Sequence, residues 1–215
     1  MRKTFFSLCF IAVACLTAMC FASCGDDDDP NLPDTPKATA ASVSPVVYVT
    51  ASTLKNFNVE LKDASGNTQE VTLENTVATS ANDIISDYYF STAKGAIASM
   101  LKNNPTETVR AYKLPAETLK SFPKNLSYTV TAVAKESSTI ADGEKVIALA
   151  QPAAGITLNA GEFDTFSGSC SLQMLTFSSS NTWSDFISKK EGKFTRSMTL
   201  NFTAADKVAV DFTTK

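Results

Sequence analysis

The stretch KFTRSMTLNFTAADKVAVDF, residues 193–212, decides the fold class. Apolar side chains occupy alternate positions on both sides of a turn at 204–206: Phe194, Met198, Leu200 and Phe202 before it, and Val208, Val210 and Phe212 after it. A period of two puts one strand face on a core and the other in water, as antiparallel sheets allow. The stretch therefore predicts a C-terminal β-hairpin. Arg196 interrupts the apolar face, so we expect its side chain near a sheet edge or reaching outward.

The same alternation recurs upstream. Residues 57–62 and 70–74 alternate around the turn residues Asp63–Asn67, which predicts a second hairpin with one buried face. A strand around Val46 and Tyr48 precedes it. Residues 128–134 and 145–150, separated by Asp142-Gly143, predict another hairpin. A further strand is expected to contain Cys170, Leu172, Met174 and Phe177.

Three helices are expected among the strands. Ser80 and Asp83 form a capping-box pattern, and Asn103-Asn104-Pro105 is a stop signal. The apolar stripe between them is Ile85, Tyr89, Ala93, Ala96 and Met100. A short helix is predicted from Thr182, with Asp185 completing its cap and Gly192 ending it. Residues 115–121 are a third, short candidate.

These elements predict an α+β fold that is mainly β. We expect an antiparallel sandwich or an open barrel with one amphipathic helix packed on it. Residues 45–215 suit a single β-rich domain with a sizeable core. Residues 24–44 contain Pro30, Pro33 and Pro36 and few apolar side chains, so they predict a linker.

The chain has no histidine. This excludes Ser-His-Asp and Cys-His catalysis, which need an imidazole that exchanges protons near neutral pH, and the familiar histidine-ligated catalytic zinc sites. A Ser-Lys pair, a carboxylate pair or an oxygen-ligand calcium site remains open. No phosphate-binding loop, dinucleotide fingerprint or EF-hand loop is present, so we expect no cofactor and no metal site.

The charge balance argues against nucleic acid as a partner. The formal net charge is −3, and it becomes −5 without Arg2 and Lys3 of the leader. Without Asp26 to Asp29 as well, it is −1. A folded part so close to neutral lacks the basic surface that binds phosphate backbones.

The N-terminus indicates export. Arg2 and Lys3 precede an apolar stretch at 5–21 with small residues after it, so residues 1–23 are predicted to be a signal peptide. Phe21-Ala22-Ser23-Cys24 resembles the lipobox of bacterial lipoproteins, and the resemblance implies lipidation of Cys24. Gly25 and Asp26, Asp27, Asp28 and Asp29 resemble the surface-export tag of Bacteroidetes lipoproteins; a solvated spacer is the alternative. The resemblance implies an outer-membrane protein held at the cell surface by its lipid, with the membrane as a partner.

Few residues outside the N-terminus suggest a site, and no catalytic residue is predicted. Glu162 and Asp164 lie two apart in the Gly-rich connection 159–168 and could share a site, although loop acids are ordinarily solvated. Asp164-Thr165-Phe166 resembles a Bacteroidetes O-glycosylation site. Trp183, the single tryptophan, is a candidate ligand contact if exposed and a core residue if packed. Cys170 is expected to be a small buried hydrophobe.

Two function classes follow. The first is a non-catalytic module that binds a glycan, lipid or protein ligand, or builds an assembly at the surface. The alternative is a histidine-free glycan hydrolase that uses two carboxylates. The missing imidazole and the scarcity of acids in apolar segments favour the first class.

Overall fold

A computed structural model describes residues 36–141 and 144–214, which belong to one compact unit. The predicted signal peptide, Cys24, Asp26 to Asp29 and the turn residues Asp142-Gly143 lie outside the described residues. The strands are β1 (Ala41–Thr50), β2 (Phe57–Lys62), β3 (Thr68–Val71), β4 (Val77–Ala78), β5 (Val109–Lys113), β6 (Glu117–Leu119), β7 (Lys124–Ala134), β8 (Val146–Ala148), β9 (Ala150–Leu158), β10 (Thr165–Gly168), β11 (Leu175–Phe177), β12 (Lys193–Ala204) and β13 (Lys207–Thr214). The α-helices are α1 (Ala51–Asn56), α2 (Ser91–Asn103) and α3 (Trp183–Lys190), and a 3₁₀ turn spans Ala81–Asp83.

A six-stranded sheet has the order β10-β13-β12-β7-β2-β3. Its pairs are antiparallel except β10 with β13, which are parallel. The hairpins β12–β13 and β2–β3 confirm two predictions. The predicted second strand at 70–74 is corrected, because β3 ends at Val71 and Leu73 is 52 % exposed. On the outer face of β7 and β12, Ser and Thr hydroxyls pair across the strands, as at Thr129 and Ser197, 2.8 Å apart.

The prediction for Arg196 is wrong, because its side chain is only 5 % exposed. β12 is an internal strand between β7 and β13, and the two-residue period directs position 196 to the core face. The Nη1 atom of Arg196 donates to the Thr195 carbonyl at 3.0 Å, and the Cζ atom of its guanidinium lies 5.3 Å from the Phe194 ring centroid. The Nε atom has no hydrogen-bond partner in the described part of the chain. Burial lowers the pKa of this guanidinium.

The second sheet is built around β1. β9 pairs along nearly all of one edge of β1, and β5 and β6 pair with successive halves of the other, with β4 beyond β5. β1 begins at Ala41, inside the predicted linker, because Ala41 and Val43 are buried and paired on both sides. The short helix predicted at 115–121 is wrong: residues 117–119 pair with residues 41–43 instead.

Strand pairing also corrects the third predicted hairpin. β7 is paired with β2 on one edge and with β12 on the other, so neither edge is available to residues 145–150. β8 pairs with β11, and β9 pairs with β1. The prediction of a strand through Cys170, Leu172 and Met174 is wrong, since β11 contains only residues 175–177, and Phe177 is the one expected residue that it includes.

The main helix is shorter than its sequence signals predict. α2 starts at Ser91 and ends at Asn103, so the stop signal is confirmed and the start at Ser80 is wrong. Ala93, Ile97 and Met100 form its buried stripe. Residues 84–90 instead lie along the outer edge of β9, where the side chains of Asp87 and Tyr89 bond to backbone groups that no neighbouring strand pairs. Satisfying these buried groups outweighs the helical preference of the segment.

The helix α3 confirms its prediction. Thr182 caps it by accepting from the Asp185 amide at 3.2 Å, and Glu191 and Gly192 end it with φ of 52° and 62°. Buried side chains of the two large sheets, of the two-stranded β8–β11 sheet and of all three α-helices form one core. The mainly β sandwich of the predicted fold class is thereby confirmed, with helices packed on it. Within the described residues, no helix has the length and apolar character to cross a bilayer.

Candidate functional site

A cavity of about 580 Å³ lies between the β9–β10 connection and the segment before α2. We call it the Tyr88 pocket. It is lined by Tyr88, Thr157, Leu158, Gly161, Glu162, Phe163 and Phe166. Its volume falls within the range of about 300–1,000 Å³ that is usual for small-molecule sites.

Three aromatic rings, those of Tyr88, Phe163 and Phe166, bound the pocket. Phe166 lies between the others: its ring centroid is 5.8 Å from that of Tyr88 and 5.0 Å from that of Phe163, which stands nearly perpendicular to it at 86°. Phe163 and Phe166 are half-buried, whereas Tyr88 is 83 % exposed. Tyr88 is the most exposed large apolar side chain among the described residues, and with the adjacent rings of Phe166 and Phe163 it forms a contiguous aromatic patch, which is the kind of surface that marks a binding site.

The position of Tyr88 follows from its two neighbours. The Tyr89 hydroxyl donates to the Ala154 carbonyl and accepts from the Ala154 amide at 2.8 Å. The Asp87 carboxylate accepts from the Ile156 amide at 3.2 Å. Both side chains therefore block the free edge of β9, as edge strands require. Tyr89 also stacks under Phe166 with centroids 5.8 Å apart, which connects the pocket to the core.

The loop that carries Glu162 and Phe163 is tied to the start of β1. The Asn159 side chain accepts from the amides of Thr39 and Ala40 at 3.0 and 2.9 Å. Gly161 has φ of 64°, and a Cβ there would come within 2.6 Å of the Pro36 carbonyl oxygen, so this close approach requires glycine. The loop is thus held in place by the hydrogen bonds of Asn159 and by the close approach that Gly161 permits.

The two acids predicted as a candidate pair are in different settings. Glu162 lines the pocket and is exposed. Asp164 forms an ion pair with Lys207 at 2.8 Å, and the Lys207 ammonium, by hydrogen bond and by charge, lowers the pKa of this carboxyl. A general acid needs the opposite shift. Thr165, the candidate glycosylation residue, is exposed at the start of β10.

Among the described carboxyl groups with a shifted pKa, Asp87 is the one whose pKa is raised; burial is the cause, and the bond from the Ile156 amide opposes the shift. It is directed at the β9 backbone and is not among the residues that line the Tyr88 pocket. The structure therefore places a carboxyl with a raised pKa next to Tyr88 in sequence but outside the cavity.

Trp183 is a packed residue, only 8 % exposed. Its ring contacts Phe57, Phe177 and Phe186, with centroids 5.1 to 5.8 Å away, and its Nε1 donates to the Ser138 carbonyl at 3.1 Å. This corresponds to the packing alternative, and none of these residues lines the Tyr88 pocket.

The exposed aromatic residue that the sequence interpretation missed is Tyr88. One signal was available: Tyr88, Tyr89 and Phe90 are consecutive, and no helix or strand can direct three successive side chains into one core. Phe163 and Phe166 also stand out as large apolar residues in a Gly-rich connection.

Cys170 is buried and has no disulfide partner among the described residues. Burial raises the pKa of its thiol to about 12. The residue is therefore the small buried hydrophobe that was expected, although it lies outside a strand.

A second cavity, of about 400 Å³, includes Tyr48, Asp83, Ile85 and Lys113 in its lining. The Tyr48 hydroxyl there accepts from the Ile85 amide at 3.0 Å, and burial raises the pKa of this hydroxyl. Because that bond anchors the 84–90 segment, Tyr48 has a structural role.

Comparison with known proteins gives no match to a family model, to a curated protein or to a solved structure. Within residues 36–141 and 144–214, no three His, Cys, Asp or Glu side chains are grouped to hold a metal ion. The function is therefore inferred from the Tyr88 pocket and from the N-terminal sequence.

Proposed function

We propose that the protein is a lipid-anchored binding module of the outer-membrane surface and that the Tyr88 pocket contacts its ligand. The anchoring part rests on the lipobox resemblance at Cys24 and on Asp26 to Asp29. The binding part rests on the pocket. Glycan, lipid and protein ligands all belong to this proposal.

The observation that carries the binding proposal is the exposed Tyr88 ring, which lies over a preformed cavity. Its neighbours Asp87 and Tyr89 are held by β9, so a ligand does not have to order the backbone that carries the ring. Large aromatic side chains dominate the binding energy of many interfaces. A ligand that covers Tyr88 would bury apolar surface that folding leaves in water.

The setting of the acids supports binding over hydrolysis. A carboxylate mechanism needs one protonated acid and one ionised carboxylate on either side of the scissile bond. Glu162 lines the cavity, but Asp164 is paired with Lys207, and Asp87 is directed at the backbone. Glu162 is the one carboxyl group that lines the pocket within residues 36–141 and 144–214.

The test uses the full-length lipoprotein in a non-ionic detergent. Polysaccharides, phospholipids and small organic cations are screened as ligands by the shift in melting temperature. A ligand that binds only the folded state raises this temperature. We expect at least one ligand to stabilise the wild type and to have no effect on Tyr88→Leu, with Val77→Ala, an exposed apolar residue outside the pocket, as the control. Equal stabilisation of wild type and Tyr88→Leu by every ligand would exclude the pocket.

The alternative is a histidine-free glycan hydrolase with Glu162 as one carboxylate and Asp87 as the acid with a raised pKa. It predicts that new reducing ends appear when polysaccharides are incubated with the wild type. That release would disappear in Glu162→Gln and in Asp87→Asn. We expect no such release at neutral pH.

A further inference from the structure

The rings of the Tyr88 pocket and its one acid suggest a class of ligand. Phe166 forms the floor, Phe163 stands against it at 86°, and Tyr88 is inclined to it at 52°. Each aromatic face carries the negative part of the ring quadrupole. A group placed over the exposed Tyr88 face therefore meets partial negative charge, and this favours a cation.

The charged groups around the pocket favour the same class. Among the described residues, Glu162 is the only charged residue in the lining, and no Lys or Arg of residues 36–141 and 144–214 lines it. The neighbouring cations Lys207 and Lys37 both act on Asp164, where each lowers the pKa of that carboxyl. Glu162 forms no ion pair among the described residues. The pocket thus carries an available negative charge that an anionic ligand would oppose and a cation would complement.

The remaining lining distinguishes between kinds of cation. A primary ammonium group has three N–H donors that need acceptors, and it is strongly hydrated. The pocket supplies three side-chain acceptor groups, the Glu162 carboxylate and the hydroxyls of Thr157 and Tyr88, beside Leu158 and the aromatic rings. A quaternary ammonium group has no N–H donor and surrounds its charge with methyl groups, so it suits an apolar lining with one carboxylate.

Building on the proposed binding function, we infer that the Tyr88 pocket binds a quaternary ammonium group of the choline type. Its methyl groups contact the faces of Tyr88 and Phe166, and the Glu162 carboxylate balances its charge. The group can come from a free small molecule or from a phosphocholine headgroup.

The experiment compares choline with 3,3-dimethylbutan-1-ol, which has the same shape and no charge. Both are titrated by calorimetry into the full-length lipoprotein in dodecyl maltoside. We expect choline to bind about tenfold or more tightly than the neutral isostere, because the cation–π attraction and the Glu162 charge act on choline alone. Phosphocholine is a second arm: affinity equal to that of choline indicates a headgroup, and weaker affinity indicates the free compound.

Variants separate the contribution of the Tyr88 ring from that of the Glu162 charge. Tyr88→Leu should weaken choline binding about tenfold or more, whereas Tyr88→Phe, which keeps the ring face, should stay within about threefold. Glu162→Gln should weaken choline binding and reduce the dependence of this binding on salt concentration. Glu60→Gln, an exposed acid on β2 outside the pocket, is the matched control and should bind as the wild type does.

Two results would overturn the inference: equal affinity for choline and its isostere, or no choline binding below about 10 mM. If a neutral oligosaccharide bound instead and Tyr88→Leu abolished that binding, the ligand class would be wrong and the proposed binding function would remain. If no ligand depended on Tyr88, both would fail.

Discussion

At the scale of single residues, Phe202 and Thr199 on β12 show what the alternation means energetically. Phe202 is 1 % exposed and packs on Phe122, with ring centroids 6.1 Å apart. Thr199 points to the outer face, where its hydroxyl lies 3.3 Å from that of Ser127. One side chain fills the core, and the other joins a row of hydroxyls beside water.

We expect Phe202→Ala to lower the free energy of unfolding by about 3–5 kcal/mol, because the lost apolar burial and the cavity both act. Thr199→Ala should lower it by less than about 1 kcal/mol, as surface substitutions do. Urea unfolding of the two variants and of the wild type measures both values. Similar losses in the two variants would contradict the burial of one face only.

Cys170 gives a prediction of reactivity. Burial raises the pKa of its thiol to about 12, and the thiolate is the reactive form, so alkylation by iodoacetamide at pH 8 should be at least about a hundredfold slower in the folded protein than in guanidinium. Mass spectrometry of the Cys170 peptide measures the rate. In a Cys170→Ala background, Ser171→Cys is the control, since position 171 is exposed and should react quickly when folded. Fast labelling of Cys170 in the folded protein would contradict the prediction that this thiol is protected by burial.

At the scale of elements, the contact between the 84–90 segment and β9 is the feature that shapes the site. Asp87 and Tyr89 take the place of a neighbouring strand by bonding Ile156 and Ala154. The segment therefore closes a sheet edge and, on its other side, presents Tyr88. A substitution at Asp87 should therefore change both the stability of the fold and the position of Tyr88 at the pocket.

Asp87→Asn tests this contact through pH. Burial raises the pKa of the Asp87 carboxyl in the folded state, so the folded protein binds this proton more tightly than the unfolded chain does. The stabilising contribution is complete below the unfolded pKa of about 3.9 and is lost as the pH rises through the higher folded value. Relative to Asp87→Asn, whose amide oxygen can still accept from Ile156, the wild type should gain stability as the pH falls from 7 towards 4. Melting temperatures across this range measure the difference, and parallel curves would contradict the shift.

At the scale of the whole molecule, the proposed lipid anchor should decide where the protein resides. Wild-type protein should partition into detergent, whereas Cys24→Ala should remain soluble or uncleaved, because two or more acyl chains hold a protein stably at a bilayer. Replacing Asp26 to Asp29 with alanine should remove the protein from the cell surface while leaving it membrane-bound. Protease accessibility on intact cells distinguishes the two variants. Equal partitioning of wild type and Cys24→Ala would exclude the anchor.

Local patterns in the sequence were enough for several elements. The alternation at 193–212 and at 57–71 predicted both hairpins, because each strand there pairs with its neighbour in the chain. Thr182, Asp185 and Gly192 predicted α3, since capping depends on residues within one turn of the helix end. The fold class follows from the same local periods.

Only the tertiary structure decided the rest, where the partner of a residue lies far along the chain. Residues 84–90 are not helical because Asp87 and Tyr89 bond to the edge of β9. The period of two directs the Arg196 side chain to the core face, and it has no sheet edge to reach because β7 and β13 pair with both edges of its strand. The Tyr88 pocket has the same origin. Tyr88 and Phe166 are 78 positions apart, and long-range packing brings their ring centroids to 5.8 Å. No local period carries that information, since burial and strand pairing depend on the whole fold.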